Sequence, residues 1–153
     1  MTPRRPQKGS VSAIELMVVL AITAVLSTVA LPSYREQVVR LRRAEAQAVL
    51  LSLMQQQERY ASRHNTFIAF SADSTDADAR QFRWWSGKDA AASAYEIEGK
   101  ACDGEQISGC IQLLAKPGTS RVDPQFKDPE CGQLTLTSTG DRQALGPARR
   151  CWQ

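Results

Sequence analysis

Few residues in this chain combine a reactive type with a telling position. Glu15 is the first. It is the one charge within Val11–Leu31, VSAIELMVVLAITAVLSTVAL, a run of 21 residues. A carboxylate at the centre of an apolar helix costs about 2.5–3.5 kcal/mol on insertion scales, and less near an end, so it asks for a cation. Four cysteines follow: Cys102, Cys110, Cys131 and Cys151. They lack C-x-x-C spacing, and the only histidine, His64, is far away in sequence, which excludes the common zinc patterns. Arg142, Arg149 and Arg150 lie near Trp152 and form the kind of local basic tail that phosphate contacts need. The plainer reading of that tail is a solvated strip around a disulfide loop. Asp73, Asp76 and Asp78 lack the Gly and terminal Glu of a calcium-binding loop and read as a solvated acidic stretch. The Phe82-Arg83-Trp84-Trp85 cluster has the groups to stack on a base or a sugar. Its first reading is as anchors beneath a loop. No G-x-S-x-G, H-E-x-x-H, phosphate loop or dinucleotide fingerprint is present, so neither an enzyme nor a metal or cofactor is expected.

The elements that position these groups begin with the apolar run itself. As a helix, Val11–Leu31 is about 31 Å long, enough to cross a hydrocarbon core of ~30 Å. Arg4, Arg5 and Lys8 precede it and, by the positive-inside rule, stay cytoplasmic while the rest of the chain is exported. Two ordinary readings are a membrane anchor and a secretory signal peptide cut after Thr28-Val29-Ala30. The signal peptide fits Glu15 badly, because the carboxylate abuts the apolar region, and Pro32 lies close behind the cut. All four cysteines fall in the exported part, where an even count reads as two disulfides. The chain has 19 basic and 16 acidic residues, of which residues 1–10 hold three and none, leaving 16 of each beyond Ser10. That balance excludes a global attraction to nucleic acid or to an acidic membrane.

Residues 33–63 hold no Gly or Pro and are rich in strong helix formers. Ala46, Val49, Leu50, Leu53 and Met54 recur at helical spacing as one buried stripe, with Arg35, Arg42, Arg43, Glu45 and Glu58 on the wetter faces. Pro32 removes a backbone donor and should bend or loosen the helix there. From Val11 to Arg63 one continuous helix would run roughly 80 Å. Residues 66–93 read as a long connecting loop with some local helix. Alternating strands are expected at 94–101, 110–116 and 131–137, with a short fourth at 142–145. Asp103-Gly104, Ser108-Gly109 and Thr139-Gly140-Asp141 supply turns between them. The fold class is therefore α+β: one long helix packed on a small antiparallel sheet of three or four strands.

The N-terminus resembles that of a type IV pilin. The residues that carry the likeness are a short basic leader, the small residue Ser10, then Val11-Ser12-Ala13-Ile14-Glu15 and the apolar run, with Pro32 and Tyr34 where the family places a helix-bending proline and an aromatic. The family usually has Gly before the cut and Phe after it, where this chain has Ser10 and Val11. The register of Glu15 and Pro32 favours the Ser10–Val11 bond over Gly9–Ser10. Gln57-Glu58-Arg59-Tyr60, Thr66-Phe67, Glu130-Cys131-Gly132-Gln133-Leu134-Thr135-Leu136, Ser138-Thr139-Gly140 and Cys151-Trp152 are similar to minor pilins of the PilE type. Residues 71–93 and the Cys102–Cys110 element fall outside the likeness, and two disulfides depart from the family's single C-terminal bridge.

The resemblance implies assembly rather than catalysis. It implies a leader at 1–10, a transmembrane and filament-core helix at 11–31, and a periplasmic or extracellular globular domain at 32–153 whose helix continues to about 63. A prepilin peptidase would cut after Ser10 and methylate the amine of Val11. The subunit would wait in the inner membrane as a single-pass protein until a platform protein and an assembly ATPase moved it into an extracellular filament. Glu15 would pair there with the Val11 amine of a neighbouring pilin subunit. Twitching, adhesion and DNA uptake are the behaviours such a filament serves. A type II secretion pseudopilin and a DNA-binding competence pilin using Arg142, Arg149 and Arg150 are the alternatives. Four cysteines allow three pairings. The turn signals and the family-like tail together favour Cys102–Cys110 with Cys131–Cys151.

Overall fold

A computed structural model describes residues 12–152, without the side chains of 29–33. Ser10, Val11 and the leader lie outside the described residues, and so does the side chain of Pro32. Helix α1 runs Ala13–His64, and the chain divides into two compact units after Val38. In the first unit the apolar side chains have no cover: Ile14, Met17 and Val25 are 66–73% exposed. Its hydroxyls turn inward on the helix. Thr23, Ser27 and Thr28 donate to the carbonyls of Val19, Thr23 and Val25 at 2.7–2.8 Å. Hydroxyls satisfied this way add little polarity to an apolar surface. Among the described residues no helix is long and apolar enough to cross a membrane. The run whose side chains are described, Ala13–Thr28, gives only about 24 Å of helix. The expected span Val11–Leu31 reaches past it at both ends, into residues that are not described.

The second unit, Val39–Gln153, carries the core. Four strands follow α1: β1 (Tyr95–Ala101), β2 (Ile111–Pro117), β3 (Leu134–Thr137) and β4 (Arg142–Ala144). They form one antiparallel sheet in the order β1-β2-β3-β4. Ala46, Val49, Leu50, Leu53 and Met54 from the helix share one buried cluster with Tyr95, Ile97, Ile111, Leu113, Leu134 and Leu136 from the sheet. The helical spacing and the strand alternation thus place their apolar faces against each other. β3 begins three residues later than the alternation suggests. Gly132 adopts a positive φ of 60° and donates its N–H to the Asp128 carbonyl, so residues 131–133 turn instead of pairing.

The stretch 66–94 is no free loop. Phe70 and Gly99 exchange both backbone hydrogen bonds, at 3.0 and 2.9 Å, and Trp85 forms a second bridge to Glu96. These contacts cover the outer edge of β1, which would otherwise be open to pairing with another strand. A Cβ on Gly99 would come within 2.5 Å of the Phe70 ring, so the close approach requires glycine. Phe70 and Phe82 are buried and stacked, with centroids 5.3 Å apart, while Trp84 and Trp85 stay half-buried. The anchor reading holds for the phenylalanines and not fully for the tryptophans.

Disulfides join Cys102 to Cys110 and Cys131 to Cys151, with Cα–Cα separations of 5.4 and 5.5 Å. The first ties the β1–β2 hairpin where Ala101 pairs with Ile111. The second closes a 20-residue separation across β3, β4 and the tail. Cys151→Ser is expected to lower the stability of the second unit by about 3 kcal/mol in the chain-entropy model, more than Cys110→Ser with its shorter loop. Urea unfolding without reductant checks this. A larger loss for Cys110→Ser would contradict it.

Candidate functional site

The C-terminal disulfide loop brings together the charged side chains that no secondary structure requires. Between Cys131 and Cys151 lie three arginines, Arg142, Arg149 and Arg150, and one acid, Asp141. All three arginines are exposed. The Arg142 guanidinium sits 5.7 Å from the centroid of the Trp152 ring, a cation–π contact. Trp152 is itself fixed, because its Nε1–H donates to the Gln143 carbonyl at 2.9 Å. The returning half of the loop is stitched to its first half by backbone bonds from Leu145 to Gln133, Gly146 to Cys131 and Ala148 to Glu130, at 2.9–3.0 Å. Gln47 on α1 donates its side-chain amide to the Cys151 carbonyl. A cleft of about 380 Å³ opens here, lined by Arg40, Arg43, Gln47, Glu130 and Arg150.

A buried ionic cluster holds this loop to the helix. Arg43 Nε and Nη2 donate to the two carboxylate oxygens of Asp128 at 2.8 and 2.7 Å, and Nη2 reaches Glu130 at 3.2 Å. Tyr95 donates its hydroxyl to Asp128 Oδ2 at 2.5 Å, and the Cys131 N–H donates to Oδ1 at 3.1 Å. Burial alone would push the Asp128 carboxyl up. The hydrogen bonds from Arg43, Tyr95 and Cys131 and the charge of Arg43 outweigh it and hold the group below the ordinary carboxylate range. The hydrogen bond to Asp128 raises Arg43, and burial followed by Asp128 raises the Tyr95 phenol. Arg43 is thus a correction to the sequence reading. It is buried, not on a wet face, because its position three residues before Ala46 continues the buried stripe.

The other candidate residues stand apart from this loop. Glu15 lies exposed in the first turn of α1. Asp73 forms a two-oxygen contact with Arg121 at 2.6–2.7 Å. Asp76 Oδ1 accepts from the N–H groups of Asp78 and Ala79, capping the short 3₁₀ turn Ala79–Gln81. His64 stacks on Tyr60 with ring centroids 4.1 Å apart. Among the described residues no group of His, Cys, Asp and Glu is arranged to hold a metal ion.

A protein-family model described as "Type IV minor pilin ComP, DNA uptake sequence receptor" matches residues 32–135, well over half of the chain. The match takes in the buried cluster, both strands of the first hairpin and the start of β3, and it ends before Arg142. Among solved structures, a type IV pilin from Shewanella oneidensis is 24% identical, covers 75% of this chain and 98% of that one, and has a TM-score of 0.45. The Neisseria meningitidis non-core minor pilin PilV is 21% identical, covers 75% of this chain and 94% of that one, and has a TM-score of 0.48. A comparison with curated proteins returns no match.

Proposed function

We propose, for a chain that belongs to the type IV minor pilin family of ComP, DNA uptake sequence receptors, that its C-terminal disulfide loop is a DNA-contacting surface carried on a pilus subunit. The chain is a type IV pilus subunit and associates with other pilin subunits in the filament. Such subunits are structural rather than enzymatic. The route into the filament follows from the N-terminus. Prepilin peptidase cuts between Ser10 and Val11 and methylates the new amine. Val11–Leu31 anchors the subunit in the inner membrane, with a bend at Pro32. The platform and ATPase then move it into the filament, where Glu15 pairs with the Val11 amine of a neighbour.

The observation that supports a DNA role is the family match, read together with three exposed arginines on a pinned loop. Net charge is zero beyond Ser10, so any attraction to phosphate has to be local. The ionic cluster and the disulfide supply rigidity, so the arginines need little ordering on binding. Twitching and adhesion have no comparable surface in their support.

Duplex DNA binding by the full chain in detergent, measured across a salt series, tests the loop. Each phosphate contact contributes about 0.9 to the slope of log affinity against log salt. Arg149→Ala with Arg150→Ala should therefore lower that slope by roughly 2 and weaken binding to every sequence alike. An unchanged slope would remove the loop from the interface.

A further inference from the structure

We propose a second binding site, for a neutral saccharide, in the cleft where the 66–94 segment meets the edge of β1. It lies outside the C-terminal loop and does not depend on the DNA reading. The cleft is about 410 Å³, and Ser71, Ser74, Arg80, Arg83, Trp84 and Trp85 are among its lining residues. That volume falls within the ~300–1,000 Å³ range of small-molecule sites.

Three observations carry the assignment. The first is the division of labour among the aromatics. Phe70 and Phe82 complete the core, whereas Trp84 and Trp85 meet edge to face, 5.2 Å apart at 79°, and stay half-buried on the cleft wall. Two large apolar surfaces left partly open at one place fit the apolar C–H face of a sugar ring. The second is polar capacity in want of partners. Trp85 Nε1–H is buried and makes no hydrogen bond among the described residues. The Arg80 side chain makes no hydrogen bond or ion pair with any of them either, and Arg83 reaches only the Ser86 and Gly87 carbonyls, at 3.4 Å. Buried donors are almost always satisfied, so an orphan at a cleft asks for an acceptor such as a hydroxyl. The third is rigidity. Ile97 donates its N–H to the Trp84 carbonyl at 2.7 Å, and Ser86 donates to Tyr95 at 3.1 Å, so the tryptophan pair is fixed to the sheet before any ligand arrives.

Charge separates a sugar from a nucleic acid at this site. Residues 66–93 carry four aspartates against Arg80, Arg83 and Lys88. A polyphosphate needs a basic track, and an uncharged polyol does not.

The test is a titration of the full-length chain in a phosphocholine detergent, followed through the indole N–H signals of Trp84, Trp85 and Trp152 by nitrogen–proton NMR. The probes are cellotetraose, chitotetraose and a short DNA duplex. One of the two tetrasaccharides should shift the Trp84 and Trp85 signals saturably, with a dissociation constant of about 1 mM or below, and leave Trp152 in place. Trp84→Ala should then weaken binding by roughly tenfold. Arg80→Gln, at an exposed position where folding is not at stake, should weaken it as well. The proposal fails if neither tetrasaccharide shifts these signals at about 10 mM. It also fails if the duplex alone shifts them, which would make the cleft a nucleic-acid site, or if Arg80→Gln leaves the affinity unchanged.

Discussion

Asp128→Asn is expected to destabilise the second unit by about 3–5 kcal/mol, a large part of the ~5–15 kcal/mol that holds a typical domain. Asp128 is 4% exposed and accepts four hydrogen bonds, two from Arg43 and one each from Tyr95 and Cys131. An asparagine offers one acceptor in place of two and turns an N–H₂ toward a buried guanidinium. Arg43 then keeps its charge with only the half-exposed Glu130 beside it. The lower end of the range is expected, since Glu130 can compensate in part. The loss should spread to the disulfide loop, because the Cys131 N–H also loses its acceptor. The pH dependence follows from the depressed carboxyl. In the unfolded chain Asp128 titrates near 3.8, and in the folded chain below that. A depressed group contributes stability that is fully present above the unfolded value and is lost as pH falls through the folded one. Wild type and Asp128→Asn should therefore differ by a constant amount at neutral pH and converge once pH drops below about 3.8. Urea melts across that window measure the gap. Curves that stay parallel into acid would show that the carboxylate does not hold the loop. Replacing Arg43 and Asp128 together with apolar residues of similar size should cost less than either single change.

Glu15→Ala should leave the chain cleaved and membrane-inserted, yet cut its share in sheared pili by about tenfold or more. The isolated subunit presents Glu15 on an uncovered apolar helix face, without an ion pair to any described residue. Packed among like helices, that carboxylate has to find a cation or become neutral. The proposed partner is the Val11 amine of the next subunit, which exists only after cleavage. Removing Glu15 leaves that amine as the uncompensated charge, so each added subunit carries the penalty. Glu15→Gln should recover part of the loss, because it keeps a hydrogen-bond acceptor. Quantifying the variant in filament and membrane fractions decides the matter. A wild-type ratio would mean that Glu15 is not an assembly contact.

Periodicity made much of this molecule legible. The stripe Ala46-Val49-Leu50-Leu53-Met54 needs only the 3.6-residue repeat, and β1, β2 and β4 differ from the alternation by a residue at an end. What the residues hid depends on contacts distant in sequence. Arg43, Gln47 and Gln57 all sit at buried positions of the helix although they are polar. Their partners are Asp128, Cys151 and Ile68, and only the Gln57–Ile68 contact is short in sequence. The helical register contained the signal, because 43, 46, 47, 50, 53, 54 and 57 form one face. Residue type argued the other way for Arg43. The 66–94 segment shows no period because it pairs with β1 through two isolated bridges, and only Gly99 marks where Phe70 lies across the strand. The three exposed arginines were visible as a charge cluster. The rigidity that makes them a candidate surface, from the Trp152 stack to the buried Asp128, was not.

Mass spectrometry of this chain recovered from sheared filaments tests the central claim most directly. As a processed pilus subunit it should begin at Val11 and carry an N-methyl group there, with the leader ending at Ser10. A chain that still begins at Met1, or one that begins at Leu31 after signal-peptide cleavage, would contradict the account.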